Sequence, residues 1–161
     1  MQTHDYCSIM TVMLRQNIIH KKSAGGIVYS KGKVLTLSVT KYSEIVFPKG
    51  TIEPNETPED AAVREVLEET GYHVKLKAPL GEVSYEFDED DGKRYQKTVY
   101  HYLLELVDED EVPKPNREEH ENEEGIENLW LSVNDAKELL THEDSRQKLE
   151  DALKVLDNLR C

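Results

Sequence analysis

Cysteine is scarce in this chain. Cys7 and Cys161 lie near opposite ends and match neither a disulfide framework nor a zinc-ligand spacing, so both read as bystanders in a reducing, cytoplasmic protein. Positive charge is also short: 20 lysines and arginines stand against 33 acids, for a net charge of -13, with no long basic block. That removes the electrostatic footprint that duplex nucleic acid requires, and it means that a polyanionic ligand would need help from a metal ion. No apolar stretch approaches the ~20 residues that span a bilayer, and residues 7–14 are too short and poorly flanked for a secretory signal, so no membrane partner is expected. The six histidines are scattered without a pair at metal-ligand spacing, and none is assigned a catalytic part.

What is present fits one domain over residues 1–161, with residues 1–21 as a loosely held extension and a single active site. Residues 24–29 and 34–39 are rich in β-branched side chains and flank the turn-forming Ser30-Lys31-Gly32, which predicts a hairpin, with residues 44–47 continuing its sheet. Strand-like patterns recur at 73–76, 81–87, 96–107 and 128–131, with a turn at 88–92. The acidic stretch 108–124 carries Pro113 and Pro115 and reads as a solvated loop. Ser132 is placed to cap a short helix through Leu140, and Leu149, Leu153, Leu156 and Leu159 recur at helical spacing beyond it. Strands with a few helices predict an α+β fold.

The chemistry concentrates in residues 57–70. Thr57 is placed to cap a helix, Pro58 suits its first position, Glu59 and Asp60 favour the positive end of the dipole, and Gly71 is a natural stop. At ~100° per residue, Val63, Val66, Leu67 and Thr70 fall on one face and Glu65, Glu68 and Glu69 nearly opposite, predicting an apolar inner face and a carboxylate outer one. Glu65 is three and four residues from Glu68 and Glu69, and such like-charged pairs cost roughly 0.2–0.5 kcal/mol each. Glu68 and Glu69 also stand in the last turn, where the dipole disfavours anions by roughly 0.3–1 kcal/mol. A divalent cation reverses both penalties, and Mg²⁺ binds through a few carboxylates while sharing its other positions with water and phosphate oxygens. A solvated face of helix-forming glutamates, partly neutralised by Arg64, is the competing reading from spacing alone.

Gly50, then Glu56, then Arg64-Glu65-Val66-Leu67-Glu68-Glu69-Thr70-Gly71-Tyr72 resembles the Nudix box, the signature of MutT-like hydrolases acting on nucleoside diphosphates linked to another moiety. The resemblance implies an α/β/α sandwich with a mixed central sheet. It implies that Glu65, Glu68 and Glu69 ligate Mg²⁺, with Mn²⁺ as a substitute, that one of them also serves as the base for water, and that the Gly50 carbonyl adds a ligand. It pairs Glu56 with Arg64 structurally. A further glutamate from a downstream loop is implied, for which Glu124 is the best match, with Glu118, Glu119, Glu121 and Glu123 as rivals. Tyr72 departs from the aliphatic residue usual at the closing position, which bears on packing behind the helix.

Phe47-Pro48-Lys49-Gly50 resembles the start of the box in the branch that hydrolyses dinucleoside polyphosphates and diphosphoinositol polyphosphates. The leading expectation is hydrolysis of a diadenosine polyphosphate such as Ap4A. The alternatives are ADP-ribose, damaged nucleoside triphosphates, diphosphoinositol polyphosphates, or a nucleotide-sensing module without turnover. Lys49 is the candidate for a distal phosphate, with Lys97 and Arg94 weaker ones. Of Tyr85, Tyr95, Tyr100 and Tyr102, Tyr85 is the one assigned to stack on a base and the others to core. The intact glutamate cluster argues for an enzyme over a sensor.

Overall fold

The computed structural model describes residues 17–161. Cys7, residues 7–14 and most of the expected extension lie outside the described residues. Residues 19–21, which fell within the expected extension, belong to the first strand.

The chain runs β1 (Ile19–Ser30), β2 (Lys33–Val39), β3 (Glu44–Val46), β4 (Lys49–Thr51), α1 (Pro58–Thr70), β5 (Val74–Asp88), β6 (Arg94–Leu106), α2 (Glu119–Glu123), β7 (Ile126–Ser132), α3 (Val133–Leu139) and α4 (Glu143–Arg160), with a 3₁₀ turn at Thr40–Tyr42. The sheet order is β3-β2-β1-β6-β5, with β4 against β1 and β7 against β2. The β1–β6 pair is parallel and the others antiparallel, so the sheet is mixed. β1 and β2 form the expected hairpin, and Lys31 (φ 50°) and Gly32 (φ 80°) supply the two left-handed positions that a tight two-residue turn requires.

Strand alternation splits the core into two layers. Ala24, Val28, Leu35, Tyr102 and Leu104 pack beneath Ala61, Ala62 and Val66 of α1. Ile27, Val34, Leu103 and Leu131 pack on the other face against Ala136 and Leu140 beside α3 and Leu149, Ala152 and Leu156 of α4. The result is the expected α/β/α sandwich. Leu159 is 57% exposed, so the inward stripe of α4 ends at Leu156.

The two strands expected at 73–76 and 81–87 are one, β5. The gap between them is absorbed as register shifts between Leu76 and Ala78 and between Pro79 and Glu82, with Gly81 at φ 81°. Tyr72 fits behind α1 edge-on to Trp130, ring centroids 5.7 Å apart, and its hydroxyl accepts from the indole N–H at 3.2 Å.

Thr57 caps α1 by accepting from the Asp60 N–H at 3.1 Å, and Gly71 closes it at φ 80° with its N–H on the Leu67 carbonyl. Thr57→Ala is expected to lower stability by about 1 kcal/mol, read as a shift in denaturant midpoint at unchanged slope, with Thr57→Ser close to wild type.

Candidate active site

The helix wheel misplaced two carboxylates. Glu65 (9% exposed) and Glu69 (8%) lie on the inward face with Ala61, Ala62, Val66 and Thr70, while Val63 and Leu67 are only partly buried. The wheel gives relative angles but not the direction of the core. α1 is rolled so that two glutamates reach the β4 edge, and Glu68 remains the exposed member at 43%.

Arg64 organises this cluster. Its Nε and one Nη donate to the two oxygens of Glu56 at 2.7 and 2.8 Å, and the same Nη donates to the Thr51 carbonyl at 2.9 Å. The other Nη reaches Glu65 at 2.8 Å and Glu68 at 3.1 Å. Glu56 also accepts from the Glu53 N–H at 2.9 Å, so Glu56 and Arg64 lock the loop before the helix onto it. The guanidinium holds Glu56 below the usual carboxylate range.

Burial pushes Glu65 up against the opposing pull of Arg64. Burial, reinforced by the charges of Glu65 and Glu121, pushes Glu69 up to about 8, opposed by Lys49. One Glu69 oxygen accepts the Lys49 N–H at 3.1 Å. Gly50 stands directly against Glu65: a Cβ there would fall 2.1 Å from its carboxyl carbon. Only a residue without a side chain fits between β4 and this carboxylate.

The stretch 108–124 is largely an exposed loop, as expected, but it carries a short helix and is anchored to α1. The N–H of Asn116 donates to the Glu68 carbonyl at 2.8 Å, Arg117 Nε to the Glu69 carbonyl at 2.8 Å, and Asn128 Nδ2 to the Thr70 carbonyl at 2.7 Å. These close the C-terminal end of α1, and Arg117 supplies the cation that its last turn lacks. Beyond Arg117 the chain forms α2. Glu124 is turned away to the Tyr42 hydroxyl, 3.2 Å distant. The glutamate of this segment whose charge reaches Glu65, Glu69 and Arg117 is Glu121.

Beside the cluster opens a cleft of about 400 Å³, walled by Val46, Phe47, Pro48, Val83 and Val99, with Lys49, Tyr85 and His101 on the sheet side and His142, Asp144 and Ser145 from the start of α4. Lys49 and Tyr85 therefore share one cavity, and Tyr85 is 43% exposed. Tyr95 and Tyr102 are buried, as expected. Arg94 is spent on Glu86, 3.2 Å away. His101 is buried, with its Nδ1 enclosed and unpartnered, and burial plus the nearby Lys148 ammonium lowers it to about 4. Sequence reading gave His101 and His142 no role at the site. The available signal was an imidazole between Val99 and Leu103 on one side of a strand. For Arg117 it was a single arginine within an acidic run.

Among the described residues no three His, Cys, Asp or Glu side chains already converge as a metal cage, since Glu65 and Glu68 lean on Arg64. The donor set nevertheless fits a hard cation. Two buried carboxylates and an exposed third offer only oxygen, and burial leaves them short of positive charge.

A sequence profile of the NUDIX domain matches residues 19–153. A Mycobacterium tuberculosis protein named MutT4 is 34% identical over 161 aligned residues, covering 91% of this chain and 60% of that protein. Nudix hydrolase 4 of Arabidopsis thaliana is 29% identical over 142 residues, covering 88% and 61%. The chain thus spans about 60% of the length of these curated relatives. Among solved structures, a Caenorhabditis elegans Ap4A hydrolase in a binary complex superposes with a TM-score of 0.65 at 21% identity, covering 86% of this chain and 98% of that one.

Two outcomes are expected. Gly50→Ala drives a methyl into the Glu65 carboxylate, so Mg²⁺ affinity by titration calorimetry should fall about 10- to 100-fold with the fold retained. In EDTA, Glu69 holds its proton in the folded state up to about pH 8 but in the unfolded state only to its ordinary value near 4.5. The stability from that proton is therefore complete below pH 4.5 and lost as pH rises through 8. As pH rises from about 7 toward 8, His101 is neutral when folded and loses its remaining proton when unfolded, so the Glu69 contribution dominates, the melting temperature should fall with pH, and Glu69→Gln should flatten the slope.

Proposed function

The chain belongs to the NUDIX family, and we propose that it is a Mg²⁺-dependent pyrophosphohydrolase that cuts a phosphoanhydride bond in a nucleoside polyphosphate, most specifically a dinucleoside polyphosphate such as a diadenosine polyphosphate. The observation that carries this reading is the pair of buried carboxylates, Glu65 against Gly50 and Glu69 bonded to the N–H of Lys49, whose side chain lines a cleft together with Tyr85.

In this reading Glu65, Glu68 and Glu69 hold the metal, with the Gly50 carbonyl beside them, and Glu121 replaces Glu124 as the downstream glutamate that completes the set. Bound there, Mg²⁺ would neutralise phosphate oxygens and lower the pKa of a water. The chain's own residues do the rest. A glutamate of the cluster accepts the proton of the attacking water, and Lys49 places an ammonium against a phosphate of the substrate. Tyr85 offers a ring face to a base, over apolar walls that exclude water. Arg64 keeps Glu65 and Glu68 oriented through its bonds to both.

The dinucleoside polyphosphate assignment rests on the Pro48-Lys49-Gly50 sequence and on the likeness of fold to a solved Ap4A hydrolase. A diphosphoinositol polyphosphate would use Lys49 but not a stacking Tyr85, so the exposed ring in the cleft favours the nucleotide.

The test is turnover of diadenosine polyphosphates, ADP-ribose, nucleoside triphosphates and diphosphoinositol polyphosphates in Mg²⁺, with products resolved by chromatography. Glu68→Gln is expected to reduce kcat by at least about 100-fold. The same substitution should leave stability within about 0.5 kcal/mol, because the side chain lies at the surface. Wild-type rates in the variant at saturating Mg²⁺ would remove Glu68 from the machinery. Saturable nucleotide binding without consumption of any compound would identify a sensing module instead.

A further inference from the structure

β5 and β6 carry a row of aromatic rings that leads into the cleft. Val83, Tyr85 and Phe87 stand on one face of β5, because alternate side chains of a strand share a face, and Phe87 is directly opposite Tyr95 of β6. The Phe87 and Tyr95 rings are stacked, with centroids 5.6 Å apart at 19°, and Tyr85 leans on Phe87 at 5.9 Å and 39°. The inner end of the row is closed. Tyr95 is buried, its hydroxyl donates to Asp91 at 2.7 Å, and the Lys21 ammonium lies 4.0 Å from its ring centroid and 2.6 Å from Glu89. The outer end is open. Tyr85 stays 43% exposed on the cavity wall next to Val83, while Phe87 stands on its other side, outside the cleft lining.

Cross-strand aromatic pairs also pin hairpins, and Phe87 against Tyr95 does that without Tyr85, whose own opposite residue is Lys97. A third ring leaning on the pair, and left open at the cavity, asks for a different account. A base that stacks on a freely turning phenol must also fix that phenol, at a cost in side-chain entropy that lowers affinity. We propose that Phe87 is a positioning residue for nucleobase binding: it holds the Tyr85 ring through the stack with Tyr95, so that a base entering the cleft extends a row already built. This rests on the nucleotide reading above. The ligand chemistry that fits is a planar heterocycle with a π-face, and a saturated, puckered inositol ring cannot extend the row. Because Phe87 lies outside the cleft lining, its effect on a bound nucleotide passes through Tyr85.

The test separates the base from the phosphate. Adenosine monophosphate and ribose 5-phosphate, which lacks only the base, are titrated into metal-free protein and followed by protein NMR. The proteins are wild type, Phe87→Leu, Phe87→Met, Phe87→Tyr, Tyr85→Ala and the double variant Tyr85→Ala with Phe87→Leu. Phe87→Leu and Phe87→Met should weaken adenosine monophosphate about 3- to 10-fold, Phe87→Tyr should stay within about twofold of wild type, and Tyr85→Ala should lose at least about tenfold. Ribose 5-phosphate should bind to all of them alike. In the Tyr85→Ala background, Phe87→Leu should cause no further loss, an outcome that a purely structural role does not produce. Adenosine monophosphate binding within about twofold of wild type in both Phe87→Leu and Phe87→Met would overturn the positioning role. So would an undiminished Phe87→Leu effect without Tyr85, equal losses for both ligands, or a folded wild type with no affinity for adenosine monophosphate. Turnover is read separately: wild type that cuts no compound in the substrate panel fails the hydrolase reading. Where a diadenosine polyphosphate is cut, Phe87→Leu should raise KM with kcat within about twofold, and an unchanged KM would overturn the role of Phe87 alone.

Discussion

Arg64 is the interaction on which the rest of the site depends. One guanidinium serves Glu56, Glu65, Glu68 and the Thr51 carbonyl. It therefore fixes the helix to β4 and to the loop between them, and it supplies positive charge to a cluster that would otherwise repel itself. A lysine could not replace it, because a point ammonium lacks the planar fork that bonds both Glu56 oxygens while a third nitrogen reaches across the helix. The surplus is left on Glu69, whose carboxylate bonds no arginine and accepts the Lys49 N–H. Structural charge is satisfied within the protein, and the unsatisfied charge is concentrated where a cation can enter.

That surplus explains why the segment after β6 is ordered around α1. The helix ends in two glutamates at the negative end of its dipole, without a basic residue in the last turn. Asn116, Arg117 and Asn128 take up the last carbonyls from outside the helix. Arg117 also bonds the Ile126 carbonyl at 2.7 Å and the Asn128 side chain at 3.1 Å, which ties α1 to β7. The acidic run is thus anchored by its arginine, and its glutamates hang off that anchor. Glu121 lies within α2, where its charge reaches the cluster, whereas Glu124 caps the end of that helix and accepts from Tyr42.

Local signals carried most of the fold. The β1–β2 turn, both ends of α1 and the Ser132 cap are written in residues next to one another, so they were legible in the sequence. Three features were not. The roll of α1 depends on what the sheet beneath it offers, and here the offer is a glycine notch at Gly50 that admits Glu65. The fusion of two strands into β5 depends on the pairing of β6, which continues past Pro79. The cleft draws its walls from β3, β4, β5, β6 and the start of α4, so no window of sequence contains it. The glutamates could be named from spacing because one helix carries them, whereas His101, His142 and Asp144 meet only through topology.

The same division separates chemistry from selectivity. The residues proposed to act on the anhydride lie almost entirely within residues 49–69 and are held by one arginine, so they form a rigid unit that tolerates little change. The residues facing the cleft come from β3, β4, β5, β6 and the start of α4, and Lys49 joins them to the glutamates, through the N–H bonded to Glu69 and the side chain that lines the cavity. Lys148 illustrates how these elements are held independently. From α4 its ammonium bonds the Leu80 carbonyl at 2.7 Å and Asp151 at 3.2 Å, bracing the β5 irregularity on the side away from the glutamates. A change at Tyr85, His101 or the start of α4 can therefore reshape the cavity without disturbing the Arg64 network. On the proposed function, substrate choice falls to side chains that the signature motif does not contain, and Lys49 is the residue through which the two halves must agree.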